Sequence, residues 1–283
     1  MIKRKSQQIA KARKISLAFT CAVFITISPS LYAQYDFDDI NLGSHRAHYN
    51  NLPSVEESDT ALKASPQFES FLKEAEEVVT RYELESSIGL RLIHRHFTLG
   101  ENQIMTENYD LVDQIPSLVT QGYSLEEAKE KKAIPASWII SNNSQEPLLF
   151  ETSTDAVVKT GSLQLQKSPD FFDEMGKLLE EHQLNDLLSV AILKRDTLVA
   201  KEGQHYMEIN SRNESRSIVQ IWRDEEKPSN SIQTSWAFKG PKQQRCWQYT
   251  WCLQRPDSQG GHITITSHDK IYDERLKNEL IYY

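Results

Sequence analysis

Residues 65–96 read SPQFESFLKEAEEVVTRYELESSIGLRLIHRH, and the apolar period changes partway through them. Phe68, Phe71, Leu72, Ala75, Val78, Val79 and Tyr82 recur three and four apart, opposite Glu69, Lys73, Glu76 and Glu77. That spacing predicts an amphipathic helix with one buried stripe. Ser65 and Pro66 suit its start, as a cap and as a first helical residue whose missing N–H is not needed. From Ile88 to Phe97 the period becomes two, the mark of a strand. Leu90, Leu92, His94 and His96 then share one face, and Arg91 and Arg95 lie on the other, in solvent or on acids. Gly100-Glu101-Asn102 reads as a turn, after which Gln103–Glu107 is expected to return as a second strand.

The same order recurs about 100 residues on. Ser168-Pro169 precedes Phe171, Phe172, Met175, Leu178, Leu179 and His182 at helical spacing, and Val190–Arg195 follows as an apolar strand. The recurrence admits a duplicated αββ unit; Ser-Pro is also a common helix opening, so coincidence is the plainer account.

Between the two copies, Ser124 and Glu127 have capping-box spacing for a short helix that Pro135 would stop. Trp138–Ile140 and Leu148–Phe150 flank Asn142-Asn143-Ser144 as a hairpin. Beyond residue 200, Tyr206–Ile209, Ser217–Trp222, Ser235–Phe238, Arg245–Leu253 and His262–Ser267 alternate as strands between turn residues, which predicts an antiparallel meander. The expected fold is α+β: a mainly antiparallel sheet with two longer amphipathic helices. Residues 65–152 form a first αβ half and residues 153–283 a strand-rich second. Residues 34–64 are polar, lack an apolar period and read as a flexible N-terminal segment.

Residues 1–33 have the parts of a secretory signal peptide. Lys3, Arg4, Lys5, Lys11, Arg13 and Lys14 precede an apolar run from Ile15 to Ile27, and Leu31-Tyr32-Ala33 ends on a small residue. The run is shorter than the roughly 20 residues of a spanning helix. An uncleaved anchor and a lipid on Cys21 are the rivals; Thr20 is a poor neighbour for the latter. The expected address is periplasmic or secreted, with no stable membrane anchor after cleavage. The leader holds six of the 32 bases and none of the 40 acids, so the remainder carries a net charge of −14. Duplex nucleic acid and anionic lipid both ask for a basic footprint and are excluded as partners.

His94-x-His96 is the sharpest chemical feature. Two imidazoles on one strand face can present two nitrogens to zinc or another divalent metal. Glu101, or a residue of a neighbouring hairpin, would supply an oxygen. His-x-His with a Glu five residues on resembles the first half of the cupin metal motif over about ten residues. Its second half, a Pro/Gly turn and a His some tens of residues later, is missing, and Gly261-His262 is too distant to serve. The plainer reading makes His94 and His96 strand residues bonded to backbone or carboxylate.

Cys246 and Cys252 flank an aromatic run, Trp247-Gln248-Tyr249-Thr250-Trp251. An oxidising compartment favours a disulfide between them. A straight strand would hold them about 20 Å apart, against the roughly 7 Å a bridge allows. With His262 and His268 they also offer zinc-ligand types at spacings wider than a finger. Gly-x-Ser-x-Gly, His-Glu-x-x-His, phosphate-loop and dinucleotide motifs are absent from the sequence. Together these features predict an exported binding or interaction protein for a protein, small-molecule or glycan ligand. The alternative is an exported metal-dependent hydrolase with His94 and His96 on the metal and Glu101 as general base. A structural envelope component is a third class.

Overall fold

The computed structural model describes residues 35–141, 144–152, 155–211, 215–228, 231–238 and 250–253. The proposed leader lies outside them. The described residues fall in one compact unit of the α+β class. Among the described residues no helix is long and apolar enough to cross a membrane.

Helices α1 (Leu42–Asn50) and α2 (Val55–Ala64) correct the expectation that residues 34–64 lack regular structure. Local capping, rather than a long apolar stripe, starts them. The Asn41 side chain accepts from Ser44 N, and Ser54 and Glu57 form a reciprocal capping box. Each helix then anchors through few residues: Tyr49 in α1 and Val55 in α2 are fully buried. Two buried residues in α1 and three in α2, one of them a serine, leave too little apolar pattern to find by period.

Helix α3 (Phe68–Arg81) follows, and its expected stripe is its buried face. Ser65 does not open it; that residue closes α2. Strand β1 (Ile88–Leu92) stops at Leu92, so His94 and His96 lie just beyond a strand rather than on one. Strands β2 (Gln103–Val112) and β3 (Ile115–Ser124) form the next hairpin, so β2 does not return along β1. The short helix α4 (Leu125–Glu130) carries the expected Ser124–Glu127 box. Strands β4 (Ile134–Ser141) and β5 (Ser144–Glu151) make the expected hairpin.

The second half opens with α5 (Ala156–Gln166), capped by Asp155, and α6 (Pro169–Glu181) with Pro169 in its first turn. Strand β6 (Leu188–Ile192) and the hairpin β7 (Gln204–Ser211)–β8 (Arg216–Arg223) follow. Then come β9 (Ser231–Gln233), β10 (Ser235–Ala237) and β11 (Thr250–Leu253).

All these strands join one sheet in the order β10-β1-β6-β4-β5-β2-β3-β8-β7-β11-β9. The pairs β2–β5 and β11–β7 are parallel, so the last strands are not a simple antiparallel meander. Strands β9 and β10 are separated only by Thr234, yet they stand at opposite ends of the order. One short stretch of chain can reach both ends only if the sheet curls until they meet.

Where β1 crosses β6, the pairing is two-fold. Leu90 faces Val190, and on either side Ile93 N donates to Leu187 O while Leu193 N donates to Ser87 O. The hairpins repeat the relation at Val119 opposite Ile218. The outward residues of both strands, Ile88, Leu90, Leu92, Leu188, Val190 and Ile192, pack into one apolar cluster with α3 and α6. Gly89 faces the other way, and β10 presses on it. A Cβ there would lie 2.4 Å from Trp236 O and 2.5 Å from Leu193 Cδ1. Gly89→Ala is therefore expected to lower the unfolding free energy in urea by about 1–3 kcal/mol; unchanged stability would contradict this packing.

Candidate metal centre

The inner side of the curled sheet is polar where β2, β3, β8 and β7 lie side by side. Glu107 pairs with Thr120, Thr120 with Ser217, and Glu208 with Val219, which fixes all of them on one face. Each glutamate takes a hydroxyl from a nearby strand. Thr120 Oγ1 donates to Glu107 Oε2 at 3.2 Å, and Ser217 Oγ donates to Glu208 Oε1 at 2.7 Å. A buried carboxylate needs more than a hydroxyl, because losing water costs several kcal/mol per ion.

Glu107 is served by arginine. Arg195, just after β6, reaches Glu107 Oε1 at 2.7 Å and Glu151 Oε2 at 2.6 Å, and donates to Ile192 O at 2.9 Å. Arg91 on β1 approaches Glu107 Oε2 at 3.6 Å, so it does sit on an acid. Burial pushes the Glu107 carboxyl up, but the two guanidiniums outweigh it and hold the group below its ordinary value. Glu151 has only a share of Arg195. Burial, reinforced by the Glu107 charge, pushes it up to about 7.

Glu208 is served by imidazoles. His96 Nδ1 lies 3.1 Å from Glu208 Oε1, and the His94 and His96 rings are 4.3 Å apart between centroids. Ligand atoms of His94, His96 and Glu208 all lie within 4.8 Å of one another, a group able to hold a metal ion. The three residues are only 3%, 8% and 6% exposed. His94 Nδ1 lies 2.8 Å from Leu92 O. A carbonyl only accepts, so Nδ1 carries the proton and Nε2 keeps its lone pair. Metal-binding histidines are oriented by this kind of backbone bond. Burial, with His96 adding to it, pushes the His94 pKa down to about 3, so the ring is neutral near pH 7. Burial pushes the Glu208 carboxyl up, partly offset by His94 and Ser217. Tyr49 accepts the His96 backbone N–H on its hydroxyl at 3.2 Å and so fixes the segment carrying the second imidazole.

The structure brings His94 and His96 together with a buried carboxylate that the expectations did not name. The oxygen comes from Glu208 on the hairpin β7–β8 instead of Glu101. Glu101 is exposed in the turn before β2. Glu208 stands 112 positions from His96 in the chain, and alternation within Tyr206–Ile209 was the only local sign that it points to one sheet face. His262, His268 and Cys246 lie outside the described residues. Cys252 is in β11, its backbone in register with Glu208 and Ile232.

Glu151 gives the site a pH signature. Its folded value lies above the ordinary glutamate value of 4.5, so between there and about pH 7 the folded chain holds a proton that the unfolded chain has released. Stability from this group therefore falls as pH rises through that window. Glu151→Gln removes the effect, so the melting temperature of the variant minus that of the wild type should grow between about pH 5 and about pH 8. A difference that stays constant across this range would refute the shift. No protein-family model, curated protein or solved structure matches this chain.

Proposed function

We propose that this chain is an exported binding protein that holds one divalent transition-metal ion, with zinc the best fit, on His94, His96 and Glu208. The observation that carries the reading is the buried convergence of two imidazoles and a carboxylate from opposite halves of the chain. Two nitrogens and one oxygen are a ligand set that zinc and iron(II) accept. Holding suits the group better than turnover, because all three ligands are buried. The hydrolase alternative draws no support from Glu101, which is exposed and outside the group. Export rests on the basic, then apolar leader and on the acidic remainder. The two-fold strand pairing supports a duplicated αββ unit as the origin of the two halves.

Metal content decides the binding half of the proposal. Protein purified from its own cells, stripped with chelator and titrated with Zn²⁺, Mn²⁺ and Fe²⁺ should take up one equivalent of at least one ion. His96→Gln and Glu208→Gln should each weaken that uptake at least tenfold. Wild-type protein that takes up none of the three overturns the reading. For export, N-terminal sequencing of the extracytoplasmic fraction should start near Gln34; intact protein beginning at Met1 in the cytosol defeats it.

A further inference from the structure

The two buried glutamates occupy equivalent places in the two halves. A two-fold that pairs Leu90 with Val190 and Val119 with Ile218 carries β3 onto β8 with an offset of 99 residues, and the two hairpin registers then carry β2 onto β7 with an offset of 101. Glu107 therefore corresponds to Glu208. Each faces the segment that leaves the central strand of the other half. The last residues of those strands, Leu92 and Ile192, also correspond. Their carbonyls carry matching contacts: His94 Nδ1 lies 2.8 Å from Leu92 O, and Arg195 Nη1 donates to Ile192 O at 2.9 Å.

What differs is which side chains turn inward. After β1, His94 and His96 are buried and Arg95 between them is half-buried, donating to the Asn50 carbonyl. After β6, Arg195 is buried on Glu107, and Lys194 and Asp196 beside it are exposed. The same arginine position thus supplies a cation in one half and is turned aside in the other, where two imidazoles stand in its place.

We infer that the metal ion is the counterpart of the Arg195 guanidinium: one half of the fold closes on a covalently attached cation, the other on an exchangeable one. This deepens the metal reading above and rests on it. The ion is a clasp. His94 and His96 come from the first half and Glu208 from the second, as Arg195 and Glu107 join the halves the other way round. A divalent cation of transition-metal type fits, because two imidazole nitrogens and one carboxylate oxygen converge there as its ligand set.

The test exchanges the two kinds of cation. His94→Arg offers Glu208 a built-in guanidinium, whereas His94→Gln offers none. Both should bind no zinc. His94→Arg should melt about ten degrees above His94→Gln in chelator, near zinc-loaded wild type. A folded His94→Arg melting no higher than His94→Gln overturns the inference. Should His94→Arg fail to fold, Arg195→His decides: with Glu107 and Glu151 beside it, it should raise the zinc stoichiometry from one to two. A stoichiometry of one, or failure to fold in saturating zinc, overturns the inference. Wild type that binds no zinc defeats the metal reading itself. Wild type that binds one ion beside variants that behave otherwise leaves that reading intact and removes only the clasp.

Discussion

Charge inside the curled sheet must be neutralised locally, and the Arg195 guanidinium does most of that work. It touches two carboxylates from neighbouring strands, Glu107 on β2 and Glu151 on β5, which are themselves register partners. Without a cation between them, two buried acids side by side would repel and one would stay protonated. The parallel β2–β5 pairing is thus tied to a single side chain from the segment after β6. That segment is fixed in turn by Asp155, whose second carboxylate oxygen accepts from Asp196 N, Thr197 N and Thr197 Oγ1. The other carboxylate oxygen caps α5. One helix start, one loop and two strands are held by three acids and one arginine.

Much of the first element pattern was legible because it is local. Period and capping found α3, α4, α6, the β4–β5 hairpin and the positions of β7 and β8, whereas the expected strand Val190–Arg195 overlaps β6 only over its first half. They failed where partnership is decided at a distance. The sequence around His94 runs on in alternation past Leu92, but β1 ends where its partners β6 and β10 end, so the two histidines leave the strand. Likewise Gln103–Glu107 pairs with β3 and β5 instead of β1, because the Gly89 surface of β1 is already covered by Trp236 and Ala237. None of these residues lies near Gly89 in the chain.

The candidate site divides the same way. His94 and His96 are two apart and visible to any reader of the sequence. Glu208 is not, because only the fold brings β7 beside the segment after β1. The two-fold relation makes it intelligible afterwards. Under the proposed duplication Glu107 and Glu208 take matching positions, and so do Arg95, half-buried, and Arg195, buried. Single-chain periodicity carries no information about which of Arg95 and Arg195 is buried; Arg95 is flanked by two buried histidines, and Arg195 by two exposed charged residues.

The closing stretch Ser231–Ala237 has a bearing on the route the chain would take through a membrane. Strand β1 has as its two neighbours β6 and β10, both synthesised long after it. A nascent chain that lacks them cannot complete its sheet, so native pairing is delayed until nearly all the described sequence has emerged. High contact order of this kind slows folding. For the exported protein proposed above, that delay keeps the polypeptide threadable during translocation and leaves its sheet to assemble on the far side.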